Sequence, residues 1–254
     1  MNKFFTSEEI NKLRNFIGYG KEDAEFIFIG IEEGGGGYDN LKGRLGYDDY
    51  RLLDCHRFHL DILNDKRFHN DSSNNVKLQP AWTFISYLVL RLKGVEKKNI
   101  LKDNRLMLRD YQNNFLGTTA SQGETLLTEV YPIPCSSFSN WGYKNKSTEE
   151  NYKFYFEEYL DKKDYCDKVL PLRKKLLSEI ISKKISKKKK IYCYGKIVWE
   201  HYEKLFLNYT FIDKNYYKYY LDLNINIFLL PFFGNGQFSY NKAEEIINLI
   251  QNGS

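Results

Sequence analysis

No two of the four cysteines, Cys55, Cys135, Cys166 and Cys193, stand at CxxC spacing, which excludes a zinc ribbon and the paired framework of a disulfide-stapled domain. Cys55-His56, with His59 and His69, matches no zinc-ligand spacing either; the pattern favours surface or core residues, and no metal or other cofactor is expected. No apolar run approaches the ~20 residues that span a bilayer. Glu8 and Glu9 stand where a signal peptide would place its apolar region, so no signal peptide is expected and a cytoplasmic protein with no membrane partner is. Gly-Lys-Ser/Thr and Gly-x-Gly-x-x-Gly are missing, which makes nucleoside triphosphates and dinucleotides poor ligands.

The 254 residues suffice for one large α/β core, and one domain over 1–254 with an insertion at 38–78 is expected. The net charge of +5 is modest, but Lys183, Lys184, Lys187, Lys188, Lys189 and Lys190 crowd one segment. Such a run suits a polyanion or, more blandly, a solvated helix end. Aromatics at 17%, with 21 tyrosines, suggest stacking surfaces beyond a core.

The most informative stretch is Glu25 to Asn40. Phe26 to Ile29 is a wholly apolar, aromatic and β-branched run, the pattern of a strand buried on both faces of a parallel sheet. It stops at Gly30-Ile31, and Glu32 and Glu33 follow, then four glycines, Gly34 to Gly37. A backbone without Cβ atoms can be approached closely, and ligands of open parallel sheets bind beyond the strands' carboxyl ends. A flexible turn with solvated glutamates is the competing reading.

Along the chain, Ile10, Leu13, Phe16 and Ile17 predict a first helix ending near Gly18 to Gly20. A long loop with a short helix at about 47–63 follows, and Pro80 opens a helix stopping at Gly94. Further strands are predicted at 125–131, ended by Pro132 and Pro134, at 191–194 and at 225–230. Ser147-Thr-Glu-Glu predicts a capped helix through about Leu160, with another over about 164–183 and a last one over 241–250. Four apolar strands separated by helices give an α/β protein with a mostly parallel sheet.

Taken together, Phe-Ile-Phe-Ile-Gly-Ile-Glu-Glu at 26–33, Leu-Leu-Thr-Glu-Val-Tyr-Pro-Ile-Pro at 126–134, Ile-Tyr-Cys-Tyr-Gly-Lys at 191–196 and Phe-Leu-Leu-Pro-Phe-Phe-Gly at 228–234 resemble the uracil-DNA glycosylase superfamily. The resemblance implies a three-layer αβα sandwich with four parallel strands ordered 2-1-3-4. It implies a protein that grips DNA and flips one nucleotide into a pocket; a monomer and double-stranded DNA as partner are expected. The activity implied is that of a monofunctional DNA glycosylase.

On that resemblance Glu32 takes the role of the polar residue that handles the attacking water or the cationic sugar, and Glu33 replaces the family's proline. Glu129 stands where the family's base-reading asparagine does. An ionised carboxylate only accepts hydrogen bonds, which suits the N4 amine of a cytosine-type base and not uracil O4. Glu129 could instead pair with a nearby lysine or arginine. The family's His-Pro-Ser is missing, and Asn235 or Gln237 would have to serve the departing base. Gly30, Ile31, Gly34, Tyr38 and Tyr47 are the further base-pocket candidates; Gly195, Lys196, Gly234, Gly236, Gln237 and Phe238 are the DNA-facing ones. Phe238 is the expected duplex wedge or, alternatively, a loop-to-core anchor. A glycine-floored pocket would admit a bulky 5-substituted cytosine such as those of phage DNA, with a use in antiviral defence or repair. The competing classes are a catalytically inactive DNA- or protein-binding member of the fold and an unrelated nucleotide-processing enzyme.

Overall fold

The computed structural model describes residues 3–34, 38–135, 138–139, 141, 143, 154–155, 158–183 and 185–252. The elements, in order, are β1 (Lys3–Phe4), α1 (Ser7–Arg14), β2 (Gly18–Gly20), β3 (Phe26–Gly34), α2 (Tyr38–Leu45), β4 (Leu52–Leu53), α3 (Cys55–Arg57), α4 (Pro80–Leu92), α5 (Lys97–Leu101) and α6 (Leu106–Asn114). Then come β5 (Thr125–Cys135), β6 (Phe154–Tyr155), α7 (Lys162–Ser182), β7 (Lys189–Tyr194), α8 (Trp199–Leu205), β8 (Ile212–Asp213), β9 (Lys218–Leu221), β10 (Ile225–Leu230) and α9 (Tyr240–Asn252). The protein is α/β, and its main sheet runs β4-β2-β5-β3-β7-β10-β9-β8.

The apolar run of β3 is buried on both faces. Ile27 and Ile29 join one core with residues of α1, α7 and α8, while Phe26 and Phe28 join the other with α4, α6 and α9. The side chains of a strand alternate between faces, so one short segment anchors both helical layers. The four strands predicted from sequence are β3, β5, β7 and β10, and they are parallel neighbours in the order β5-β3-β7-β10. The expected four-stranded sheet is nevertheless too small. It is a mixed sheet of eight, widened by antiparallel β2 on one side and antiparallel β9 on the other.

Much of the aromatic excess is internal. Phe28 stacks on Tyr192 at 5.0 Å, Tyr192 on Phe228 at 5.6 Å, and Phe228 on Tyr219 at 6.3 Å, each pair in register on adjacent strands. This ladder across β3, β7, β10 and β9 is cross-strand packing of the kind that stabilises sheets.

The lysine run also has structural uses. Lys189 is buried and donates to the carbonyls of Ile180 and Ile181 at 2.7 and 2.9 Å, satisfying two acceptors at the end of α7. Lys187 and Lys190 both pair with Glu25, and Lys183 pairs with Glu22.

Several segments depart from expectation. The insertion carries the expected short helix as α3 continued by a π-helical turn at Phe58–Ile62, and adds α2 and β4, which were not expected. β5 continues through Pro132 and Pro134 to Cys135; its pairing with β2 ends at Thr128, and prolines are tolerated where a strand has lost one neighbour. Phe154–Tyr155 pair with β1 as a strand where a helix was predicted, and Ser147 to Glu150 lie outside the described residues.

Gly18 to Gly20 are the strand β2, not a helix end, because glycine lets β5 come close. Gly20 has φ +111°, and a Cβ there would lie 2.0 Å from the Thr125 carbonyl oxygen. Gly20→Ala should therefore lower stability by at least about 2 kcal/mol in urea denaturation, well beyond an ordinary surface substitution.

Candidate functional site

Pairing of β3 with β5 places Gly30 opposite Glu129 and Glu32 opposite Tyr131, at the carboxyl end of the parallel strands. The register slips between Glu32 and Gly34, and the two adjacent glutamates find different partners. Glu32 pairs with Lys162 in the first turn of α7, whose N-cap Asp161 accepts from Asp164 N at 2.8 Å. Glu33 pairs with Arg44 of α2 and accepts a hydrogen bond from the Tyr19 hydroxyl at 3.1 Å.

The Glu32 side chain is only 3% exposed, and its Oε1 is buried without a hydrogen-bond partner. Burial raises its pKa, and the charge and hydrogen bond of Lys162, with a further interaction from the Cys135 thiol, offset this only in part. Lys162 also donates to Cys135 Sγ at 3.4 Å and sits 5.3–5.5 Å from the rings of Phe138, Trp141 and Tyr165. Alongside, the Tyr131 hydroxyl and His201 Nδ1 share a 2.8 Å hydrogen bond, and burial depresses the His201 pKa.

Glu129 is partly buried, with Oε2 sealed from solvent and unpartnered. Its carboxyl lies against Gly30, where a Cβ would stand 2.1 Å from Oε2. Gly30 thus serves Glu129 and not a ligand. Burial, followed by the charges of Glu33 and Glu32, pushes the Glu129 pKa well above the carboxylate range, more than Arg173 and Arg44 pull it down. This weighs against the acceptor-only reading of Glu129. Its surroundings favour the protonated acid, which donates one hydrogen bond and still accepts.

Two buried arginines frame the cluster. Arg44 donates to the Pro132 carbonyl at 3.0 Å and lies 4.3 Å from the Phe16 ring centre. Arg173 donates to the carbonyls of Phe16 and Glu129, both at 2.6 Å, and to Thr128 Oγ1 at 3.2 Å. Sequence reasoning missed Arg44, Lys162, Arg173 and Tyr19. They lie on other elements, and no spacing relates them to Glu32.

The other predicted residues divide. Gly34 is exposed with open space where a Cβ would be, while Gly35 to Gly37 and the Tyr38 side chain lie outside the described residues. Ile31 packs against the core of Ile27 and Ile29, and Tyr47 is half-buried beside Phe58, so neither stands free to stack on a base. Gly195 donates to the Leu230 carbonyl at 3.0 Å and opens a short turn bearing exposed Lys196.

After β10, Gly234 is buried, and Asn235, Gly236 and Gln237 form an exposed turn with left-handed φ at Asn235 and Gly236. Phe238 is 4% exposed, held by Phe84 and Phe233 at 5.3 and 4.8 Å. It is a core anchor, which corrects the wedge reading. The exposed apolar side chains following these neighbouring strands are Ile197, 93% exposed, and Phe232, 37%. Among the described residues, one group can offer three metal-ligand atoms: Cys55, His59 and His69.

The raised pKa of Glu129 fixes the sign of a pH effect. A carboxyl more basic in the folded state binds its proton more tightly there, so stability falls as pH rises through the unfolded value of 4.5 toward the folded one. Wild type should lose up to about 1.4 kcal/mol per pH unit relative to Glu129→Gln over this window, measured by urea denaturation from pH 4 to 8. No protein-family model, curated protein or solved structure matches the chain, so the site's chemistry stands on its own geometry.

Proposed function

We propose that the protein is a divergent member of the uracil-DNA glycosylase superfamily, which hydrolyses the N-glycosidic bond of a nucleotide flipped out of duplex DNA. The observation that carries the reading is Glu32. It lies near the end of the leading parallel strand with one oxygen paired to Lys162 and the other, Oε1, buried and without a hydrogen-bond partner. A buried acceptor left unsatisfied costs free energy. A water held for attack, or the cationic sugar formed as the base departs, would satisfy it. Its raised pKa makes Glu32 a better base than a free carboxylate. The parallel order β5-β3-β7-β10 agrees with the family's 2-1-3-4 arrangement and supports the assignment.

Protonated Glu129 would donate to ring nitrogen N3 of a cytosine-type base and accept from its N4 amine. The same acid meets uracil with the roles exchanged. Selection of a modified cytosine then rests on carbon 5, for which the open space at Gly34 offers room. Such a base occurs in phage DNA, and its removal would serve antiviral defence or repair.

A second reading has its own support. The Glu32–Lys162 ion pair closes one carboxylate oxygen, and Asn235, on an exposed turn, replaces the family's histidine. A catalytically silent DNA-binding protein would tolerate both.

The test incubates the protein with duplexes carrying uracil, cytosine, 5-hydroxymethylcytosine or its glucosylated form, followed by alkali. Strand breaks are expected with a modified cytosine, falling about 10²–10⁴-fold in Glu32→Gln. A preference for uracil would overturn the base assignment alone. Tight binding without breaks on any duplex would leave the second reading.

A further inference from the structure

Three of the four histidines and one of the four cysteines fall within the 38–78 insertion. The fold brings Cys55, His59 and His69 into one enclosed nook, with Cys55 and His69 fully buried and His59 7% exposed. Cys55 Sγ lies 3.7 Å from His59 Nδ1 and 3.6 Å from His69 Nε2, and one ligand atom from each residue lies within 4.8 Å of the others. A tetrahedral zinc ion, bound at its usual distances to sulfur and nitrogen, holds those atoms about 3.5–3.6 Å apart. Both sulfur–nitrogen distances are close to that already.

We propose that Cys55, His59 and His69 form a binding site for one divalent transition-metal ion of the zinc type, which ties the segments of the insertion to one another. His56 directs Nδ1 at the Asn113 carbonyl at 2.6 Å, and His59 directs Nδ1 at the Cys55 carbonyl at 2.8 Å. His69 instead turns Nε2 to a thiol and leaves Nδ1 buried and unpartnered. A neutral imidazole keeps a lone pair on one ring nitrogen to offer a metal. One thiol and two imidazoles suit zinc or cobalt and not magnesium or calcium.

Binding releases one proton, that of the Cys55 thiol, because the metal takes the thiolate. His59 Nδ1 lies 2.8 Å from the Cys55 carbonyl oxygen; ligation through Nδ1 moves its proton to Nε2 with no net change. The bound ion would join α3, the π-helical turn and the segment around His69. Trp82 of α4 packs against both ligand rings, at 5.2 and 5.1 Å. The spacing of the three ligands in sequence fits no zinc pattern, and only the fold unites them.

Cobalt(II) titration of the metal-free, full-length wild-type protein tests this directly. One equivalent should bind, giving the charge-transfer band of a cobalt–thiolate bond, releasing one proton and yielding to zinc. Cys55→Ser should abolish the band, and His69→Ala should weaken binding roughly tenfold or more. His56→Ala should retain it. Absence of the band in wild type at one equivalent, or its persistence in Cys55→Ser, overturns the proposal. Because the first measurement uses wild type, a variant that fails to fold cannot leave the question open.

Discussion

Charge balance around the β3–β5 pair governs this structure. Their register sets three carboxyl groups, Glu32, Glu33 and Glu129, within electrostatic reach of one another at the end of the sheet. Like charges so placed cannot all remain ionised without compensation. Lys162 answers Glu32 and Arg44 answers Glu33. Arg173 spends its hydrogen bonds on three backbone and hydroxyl oxygens and reaches the Glu129 carboxyl only through its charge. Glu129 is therefore the member whose surroundings most favour the protonated form. Removing one partner of a buried ion pair typically costs about 3–5 kcal/mol, so α2 and α7 are tied to the sheet's end by electrostatics as well as by packing.

The architecture was legible where burial on both faces leaves an unbroken apolar run. Ile227 to Leu230 and Ile191 to Cys193 carry that signal as plainly as Phe26 to Ile29, and all became central strands. The flanking strands carry none. Gly-Tyr-Gly reads as a turn until the β5 backbone is seen to need the missing Cβ atoms. Lys-Tyr-Tyr-Leu at 218–221 is half-exposed and has a lysine at its start, so its pairing with β10 leaves no apolar mark.

The site was half legible for a related reason. Acids at strand ends can be found because they interrupt an apolar run, and Glu32, Glu33 and Glu129 all do so. Their cations sit on helices, where a lone lysine or arginine looks like surface. Lys162 stands among the charged residues of 161–164, and nothing in that run separates it from Lys163, which is exposed and pairs with Asp167. Phe238 fails in the opposite sense. An aromatic in a glycine-rich loop looks like a wedge, and only the contacts with Phe84 and Phe233 show that it holds the turn to the core.

What Glu32 can do depends on which of two opposing effects is larger. An ammonium in contact lowers a carboxyl pKa, and loss of hydration raises it; here dehydration prevails, although the partner is close. A carboxylate in that condition is poorly solvated and more basic than in water, while Lys162 still favours its ionised form over the neutral acid. Both properties suit a group asked to accept a proton or face a cation. A purely structural pair would gain by satisfying both oxygens, as Glu244 does with Arg91, whose guanidinium donates to each at 2.8 Å. Glu32 keeps Oε1 unsatisfied at a cost in stability, which a purely structural ion pair would not require.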